Sequence, residues 1–240
     1  MKSFVITLKN NERSNESANK CIYSATQHGV TDIQKFTATE PSDWKIVLGN
    51  VKNTFGIYPN PDAVGACFAS HYRLWKHCVN LNEAILILEH DAIFVDELPR
   101  LHNFTCVTLG RPSYVRFHEL DPTSIPRPGL GTLKTKHMLG HHAYCITPNT
   151  AREFIRDVKE AKRPLEPNDL WMTLEHYPHL QEYYPFPVIA DTEFSTVQGE
   201  ILEGSELKKI QQFPTRKQYE FLKEYYPQCL ERQSIEFIKP

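Results

Sequence analysis

The sequence predicts an α/β layered fold with a mostly parallel central sheet flanked by helices. Three observations carry this expectation. Strand and helix signals alternate along the chain, as they do when helices connect the strands of one sheet. The run Ala84–Leu88 is continuously apolar, the pattern of a strand covered on both faces. Between Asp62 and Cys78, Val64, Cys67, Phe68, His71, Leu74, Trp75 and Cys78 recur at helical spacing and form one stripe.

The elements follow in order. Phe4–Leu8 reads as a first strand, the polar stretch Asn15–Gln27 as helix-compatible, and Ile33–Thr37 as a short apolar piece. Asp62 is placed to cap the helix that follows Pro59 and Pro61. After Ala84–Leu88 come three further strand candidates, Val107–Leu109, Tyr114–Phe117 and Ala143–Thr147. The last feeds a helix. Thr147 can cap it, Pro148 suits its first position, and Ala151, Phe154, Ile155, Val158 and Ala161 line one face. A final amphipathic helix, Thr215–Tyr226, stops at Pro227. The segment His118–Lys136 holds three Pro and two Gly and reads as a loop. There is no internal repeat and no clear linker, so one domain is expected over residues 1–240.

Composition narrows the class. With 27 Lys and Arg against 29 Asp and Glu the formal net charge is −2, which argues against a protein that coats nucleic acid. An apolar fraction of 40% with 11% aromatics suffices for a packed core and excludes wholesale disorder. The longest apolar run is five residues. A membrane-spanning helix needs roughly 20, so no crossing is expected, and peripheral membrane contact stays open. The six cysteines form no CxxC pair. Cys67, Cys106 and Cys145 sit in apolar runs as small core residues. The apolar part of Met1–Leu8 is too short for a secretory signal. A cytoplasmic protein with reduced thiols and no structural zinc is therefore expected.

The most informative stretch is Ile85-Leu86-Ile87-Leu88-Glu89-His90-Asp91. A buried strand delivers two carboxylates, two residues apart, to the carboxyl edge of the sheet, where ligands of such sheets gather. In a locally extended chain Glu89 and Asp91 point the same way. Hard oxygen ligands suit Mg²⁺ or Mn²⁺, which can bridge a diphosphate. Equally, one acid can cap a helix while the other is solvated.

At this point the sequence is recognisable. Pro61-Asp62-Ala63-Val64-Gly65-Ala66-Cys67-Phe68-Ala69-Ser70-His71-Tyr72-Arg73-Leu74-Trp75, followed by Ile85–Phe94, resembles the hallmark region of glycosyltransferase family 25. That family includes lipopolysaccharide and procollagen galactosyltransferases. Its members carry a Ser-His pair in a helix and then a strand ending Leu-Glu-Asp-Asp. Leu139–Thr147 is similar to the family's Gly-x-x-Ala-Tyr strand, and Ala151–Ile155 to the helix after it. Arg163–Trp171 resembles its Pro-x-Asp segment with a two-residue expansion. Pro185-Phe186-Pro187 and Phe194-Ser195-Thr196 resemble the closing elements, and Val5–Leu8 with Arg13-Ser14 the opening ones. The family-like part spans about residues 4–197, with a C-terminal helical extension over about 205–240.

The resemblance implies a GT-A-like, Rossmann-type layered fold, a UDP-galactose or UDP-glucose donor, and transfer with inversion to a hydroxyl of a glycan or hydroxylated protein. It departs from the family at His90, where members have Asp, and at Thr37-Ala38-Thr39-Glu40, which replaces Ala-x-Asp-Gly. On this reading Asp91 is the principal ligand of Mn²⁺ or Mg²⁺, with Glu89 secondary and His142 contributing an imidazole. His141 and His142 lie on alternate faces of a strand, so one site is not expected to take both. Asp169 is the candidate general base, since inversion needs a carboxylate to take the acceptor's proton. Glu166 and Glu175 are its rivals, and capping of the next helix from Leu170 to His176 is the alternative role. Thr7, Arg13, Ser70, His71, Ser195 and Thr196 are candidate contacts to the nucleotide-sugar. His71, on an apolar stripe, reads more readily as a core histidine bonded to backbone. Arg127, Lys134 and Lys136 can close over the donor as part of a lid, and Trp171 can stack on sugar.

Two rivals accompany this reading. A nucleotide-sugar or glycan-binding protein without turnover keeps the fold and discards the reaction. An iron facial triad of His90, Asp91 and His142 is disfavoured, because adjacent His and Asp do not readily face one metal.

Overall fold

A computed structural model of the chain describes residues 1–110, 128–191, 194–195, 202–203, 211–212, 215–232 and 234–235. The strand candidate Tyr114–Phe117, Arg127 and Thr196 lie outside these residues. The principal strands are β1 (Lys2–Thr7), β2 (Ile33–Thr37), β3 (Ile85–Glu89), β4 (Ala92–Phe94), β5 (Cys106–Thr108), β6 (Gly129–Thr132), β7 (Ala143–Ile146), β8 (Leu180–Tyr184) and β9 (Val188–Ala190). The helices that matter for the site are α1 (Glu12–Gln27), α2 (Trp44–Leu48), α3 (Pro61–Leu81), α4 (Pro148–Lys159), α5 (Asn168–Trp171) and α6 (Arg216–Tyr225).

Seven strands form one sheet in the order β2-β1-β3-β7-β5-β8-β6. β1 pairs in parallel with β2 and β3, and β5 with β8. β7 runs against β3 and β5, and β6 against β8. Five strands therefore share one direction, and the expected α/β layering holds with two reversed strands. β6 is a correction to the sequence reading, because it lies within the segment expected to be a loop. Its glycines alternate with Leu130 and Thr132, so the Pro/Gly composition hid an edge strand.

The buried strands feed two layers by side-chain alternation. Ile85 and Ile87 of β3, with Tyr144 and Ile146 of β7, pack against α3 and α4. Leu86 and Leu88, with Ala143 and Cys145, face the α1 side. Glu89 is two residues beyond Ile87, so the alternation brings it to the α3 side. This explains why its partner comes from α3.

Two caps differ from expectation. The cap of α3 is Asn60, whose Oδ1 accepts from the Ala63 amide at 3.2 Å, with Pro61 at the first helical position. Asp62 instead accepts from Trp44 Nε1 at 2.8 Å and ties α2 to α3. The α1 helix starts at Glu12, earlier than its composition suggested, because the Asn11 side chain accepts from the Ser14 amide at 2.8 Å.

Trp171 is also corrected. It is fully buried, stacked on Trp75 at 5.9 Å between ring centroids, and edge-on to Phe68 and Phe154. It belongs to the core and offers no face to a sugar. In the C-terminal part, α6 begins with a capping box between Thr215 and Gln218. Its Leu222 packs with Ile93, Val95 and Ile189, where β4 and β9 pair. Among the described residues, no helix is long and apolar enough to cross a membrane.

Candidate functional site

Four candidate residues from separate parts of the chain line one cavity of about 220 Å³. Glu89 ends β3 and Asp91 follows it, His142 precedes β7, and Asp169 lies in α5. His90 and Asp91 form a turn and not the extended segment expected, yet Glu89 and Asp91 both reach the wall. A second cavity of about 290 Å³ adjoins the first, and Cys67 and Glu89 belong to both. Cys67 is thus a wall residue and only partly a core residue. A larger cavity of about 830 Å³ lies beside Met1, His28 and Arg100 and holds none of the candidate residues.

Glu89 is fixed by a buried chain of hydrogen bonds. Trp75 Nε1–H donates to the Tyr144 hydroxyl at 2.9 Å, His71 Nδ1 lies 3.0 Å from that hydroxyl, and His71 Nε2 lies 3.2 Å from Glu89 Oε1. An indole can only donate, and an ionised carboxylate can only accept. His71 Nε2–H therefore donates to Glu89, and the Tyr144 hydroxyl oxygen accepts from Trp75. Burial would raise the Glu89 pKa, but the hydrogen bond from His71, together with the neighbouring imidazoles of His71, His141 and His142, outweighs it and brings the value down to about 2. His71 is buried as expected, although its partners are two side chains and not the backbone. Tyr144→Phe would leave Trp75 Nε1–H and His71 Nδ1 unpaired in the core. It should destabilise the protein by about 2–4 kcal/mol, readable in a denaturant midpoint.

Asp91 sits in the opposite electrostatic situation. Burial raises its pKa well above the ordinary value, and the charges of Glu89 and Asp191 add to the rise. Its Oδ1 is buried with no hydrogen-bond partner. No Lys or Arg occurs among the described residues lining this cavity. Asp191 was missed by sequence reasoning. It follows β9, and its amide donates to the Asp91 carbonyl at 2.6 Å. Val188-Ile189-Ala190-Asp191 carries the same signal as the end of β3, an apolar strand closed by an acid.

The two histidines both border the cavity, contrary to expectation, by turning to opposite sides. His141 packs against His71 and Tyr144, and its Nε2 lies 2.9 Å from Met172 Sδ. His142 lies against Gly110 and Val188. Burial lowers the pKa of His141 to about 3 and of His142 to about 4, so both are neutral and His142 retains a lone pair for a metal. A Cβ on Gly110 would overlap His142 Nε2. Gly110→Ala is therefore expected to displace that imidazole and weaken Mn²⁺ binding, measured by calorimetric titration, while the far-UV circular dichroism is retained.

Asp169 is in the first turn of α5, which covers only Asn168–Trp171, and the cap position is Pro167. Burial raises the Asp169 pKa, and the Glu89 charge adds to it. Of its rivals, Glu175 is exposed and neither Glu166 nor Glu175 lines the cavity.

The second cavity is lined by Ser70, His71 and His90, and by Ala38, Thr39 and Glu40 beyond β2. The Ser70 hydroxyl is already committed. It donates to the Ala66 carbonyl at 2.7 Å and accepts from the Thr39 amide at 2.8 Å, pinning the loop beyond β2 to α3. Lys9, Asn11 and Asn60 also line this cavity and were not singled out in the sequence. Their signal was their place in loops after β1 and before α3. Thr7 donates its hydroxyl to the Val5 carbonyl at 3.2 Å, and neither Thr7 nor Arg13 lines either cavity. Ser195 is described only as part of a short strand, Phe194–Ser195, paired with Leu202–Glu203. His90 lines this second cavity whereas Asp91 and His142 line the first, so the three do not converge as an iron triad would require.

Residues 1–117, just under half of the chain, match the family model of glycosyltransferase family 25 (LPS biosynthesis protein). An independent comparison thereby finds the resemblance over the helix and strand motifs up to residue 117, and the motifs quoted from Leu139 onward lie beyond the matched residues. No curated protein gives a match. Among solved structures the chain is similar to the crystal structure of galactosyltransferase LgtC in complex with donor and acceptor sugar analogs. The identity is 13%, the match covers 100% of this chain and 84% of that one, and the TM-score is 0.39.

Proposed function

With its first 117 residues matching glycosyltransferase family 25, we propose that this protein is a GT-A-type hexosyltransferase. It moves galactose or glucose from a UDP-sugar to a hydroxyl of a glycan or hydroxylated protein, with inversion and metal assistance. One observation carries the reading. Glu89, Asp91, His142 and Asp169 line a single cavity that adjoins a second one at the carboxyl ends of β1 and β3. The second cavity suits the nucleotide, and the first suits the reacting sugars.

The two carboxylates suit a hard divalent ion in their chemistry. Among the described residues, however, the ligand atoms that already lie within 4.8 Å of one another belong to Cys67, His71 and Glu89, so Asp91 and His142 would have to close on the ion. Buried Asp91 Oδ1 has no partner, Glu89 and Asp191 repel the Asp91 charge, and no side-chain cation among the described wall residues offsets it. Mn²⁺ or Mg²⁺ held by Glu89, Asp91 and His142 would neutralise the negative charge of the departing nucleoside diphosphate. Asp169 takes the proton from the acceptor hydroxyl. Its raised pKa makes it a stronger base than an ordinary carboxylate. The chain His71–Tyr144–Trp75 holds Glu89 ionised and in one orientation. A lipopolysaccharide sugar is the acceptor class favoured by the family's description, and a cytoplasmic location accords with it.

The test is a panel of nucleotide sugars with Mn²⁺ or Mg²⁺, scored for release of free nucleoside diphosphate. Metal-dependent release from UDP-galactose or UDP-glucose supports the transferase. Ligand-induced thermal stabilisation without release would replace it with a nucleotide-sugar-binding protein.

A further inference from the structure

The cavity that holds Asp169 also contains polar groups for which the proposed chemistry has no use. Asn168 immediately precedes Asp169 at the start of α5 and is only 5% exposed. Both Oδ1 and Nδ2 of its amide are buried with no hydrogen-bond partner, and the residue lines the cavity. His141, which lines the same cavity, offers a further unpaired atom. Met172 Sδ can only accept, so the proton lies on His141 Nε2, and the buried Nδ1 is an acceptor without a donor. Leaving such groups unpaired costs free energy in the unliganded protein. They have no structural duty that would explain their retention. An amide that offers one donor and one acceptor side by side matches a pair of neighbouring hydroxyls, where one hydroxyl accepts while the other donates.

We propose that Asn168, with His141 Nδ1, recognises vicinal hydroxyl groups of a hexose and sets the sugar specificity of the cavity. The inference rests on reading that cavity as the sugar site. The hydroxyls belong to the acceptor hexose, because Asn168 and Asp169 are consecutive in one turn. A sugar held by the amide is thereby presented to the base.

The test uses Asn168→Leu, which keeps the branching at Cγ with somewhat more bulk and removes both polar atoms. Saturation-transfer NMR with methyl β-galactoside and methyl β-glucoside reads binding, and thermal unfolding reads the fold. In the wild type at least one glycoside should receive saturation. In N168L the signal should fall at least about ten-fold, while the unliganded Tm stays level or rises because two unpaired buried atoms are gone. Asn168→Ser, which keeps one donor and one acceptor, should restore part of the signal. Absence of saturation in the wild type overturns the proposal, as does equal saturation in N168L. A lower Tm in N168L also overturns it, since the amide would then be holding the fold. Saturation lost in N168L from a protein that releases no nucleoside diphosphate would support the sugar site while removing the transferase reading. If turnover is present, a loss confined to the glycoside KM assigns the hydroxyls to the acceptor. A loss in donor hydrolysis would assign them to the donor sugar instead.

Discussion

Asp91→Asn is expected to lower metal-dependent turnover by roughly 10²–10³-fold, the scale on which losing one group that stabilises developing negative charge acts. The fold should survive and become slightly more stable without metal. Asp91 has a pKa raised by burial and by the charges of Glu89 and Asp191. A carboxyl with a raised folded pKa contributes its full stability below the unfolded value, near ~3.9, and loses it as pH rises through the folded one. As pH rises through that folded pKa the unliganded protein takes on the repulsion from Glu89 and Asp191, which the neutral amide removes. Mn²⁺ should raise the wild-type Tm, corresponding to about 2.7 kcal/mol at a hundredfold excess over Kd, and should not raise that of the variant. Near-normal turnover in D91N, or an equal Mn²⁺ shift in both proteins, would remove Asp91 from the metal site.

The second large effect belongs to Asp169. Asp169→Asn should reduce kcat by about 10²–10⁴-fold, the usual contribution of a positioned base, with a small change in donor KM. The wild-type kcat/KM should fall as pH drops through the pKa of Asp169, because only the carboxylate accepts the proton. That limb should lie above the ordinary carboxylate range, since burial and the Glu89 charge raise this pKa. Residual activity in D169N should lack the limb. A pH–rate profile unchanged by the substitution would eliminate Asp169 as the base, and Glu175→Gln, at an exposed position, should leave it unaltered.

Several parts of this architecture were legible in the chain because they depend on local pattern. The all-apolar Ile85–Leu88 segment became a strand buried on both faces, and the stripe from Val64 to Cys78 became α3. The acid pair after that strand was visible for the same reason, since a polar residue closing an apolar run marks a sheet edge. Asp191 follows β9 in the same way but was passed over, because its strand has only three residues and comes directly after Pro185-Phe186-Pro187. Asn168 gave no signal, since an unpaired amide is defined by what surrounds it in space. Trp171 was misread because it lies outside the long stripe that marks Trp75 as a core residue, whereas its neighbours in space are Trp75, Phe68 and Phe154.

The order of strands and helices, the alternation that sends Glu89 toward α3 and the acidic close of β3 are properties of the sequence by itself. Hydrophobic periodicity selects β1, β3, β7, α3 and α4 and their buried faces within a few residues. Tertiary structure alone decided which way β7 runs, that His71 meets a tyrosine 73 residues away, that Asp62 serves Trp44 instead of its own helix, and that Asp169 joins Glu89 and Asp91 around one cavity. Those outcomes depend on burial and on charge pairing between segments far apart in the chain. Both take their magnitude from the three-dimensional surroundings of a group, and no local pattern carries that information.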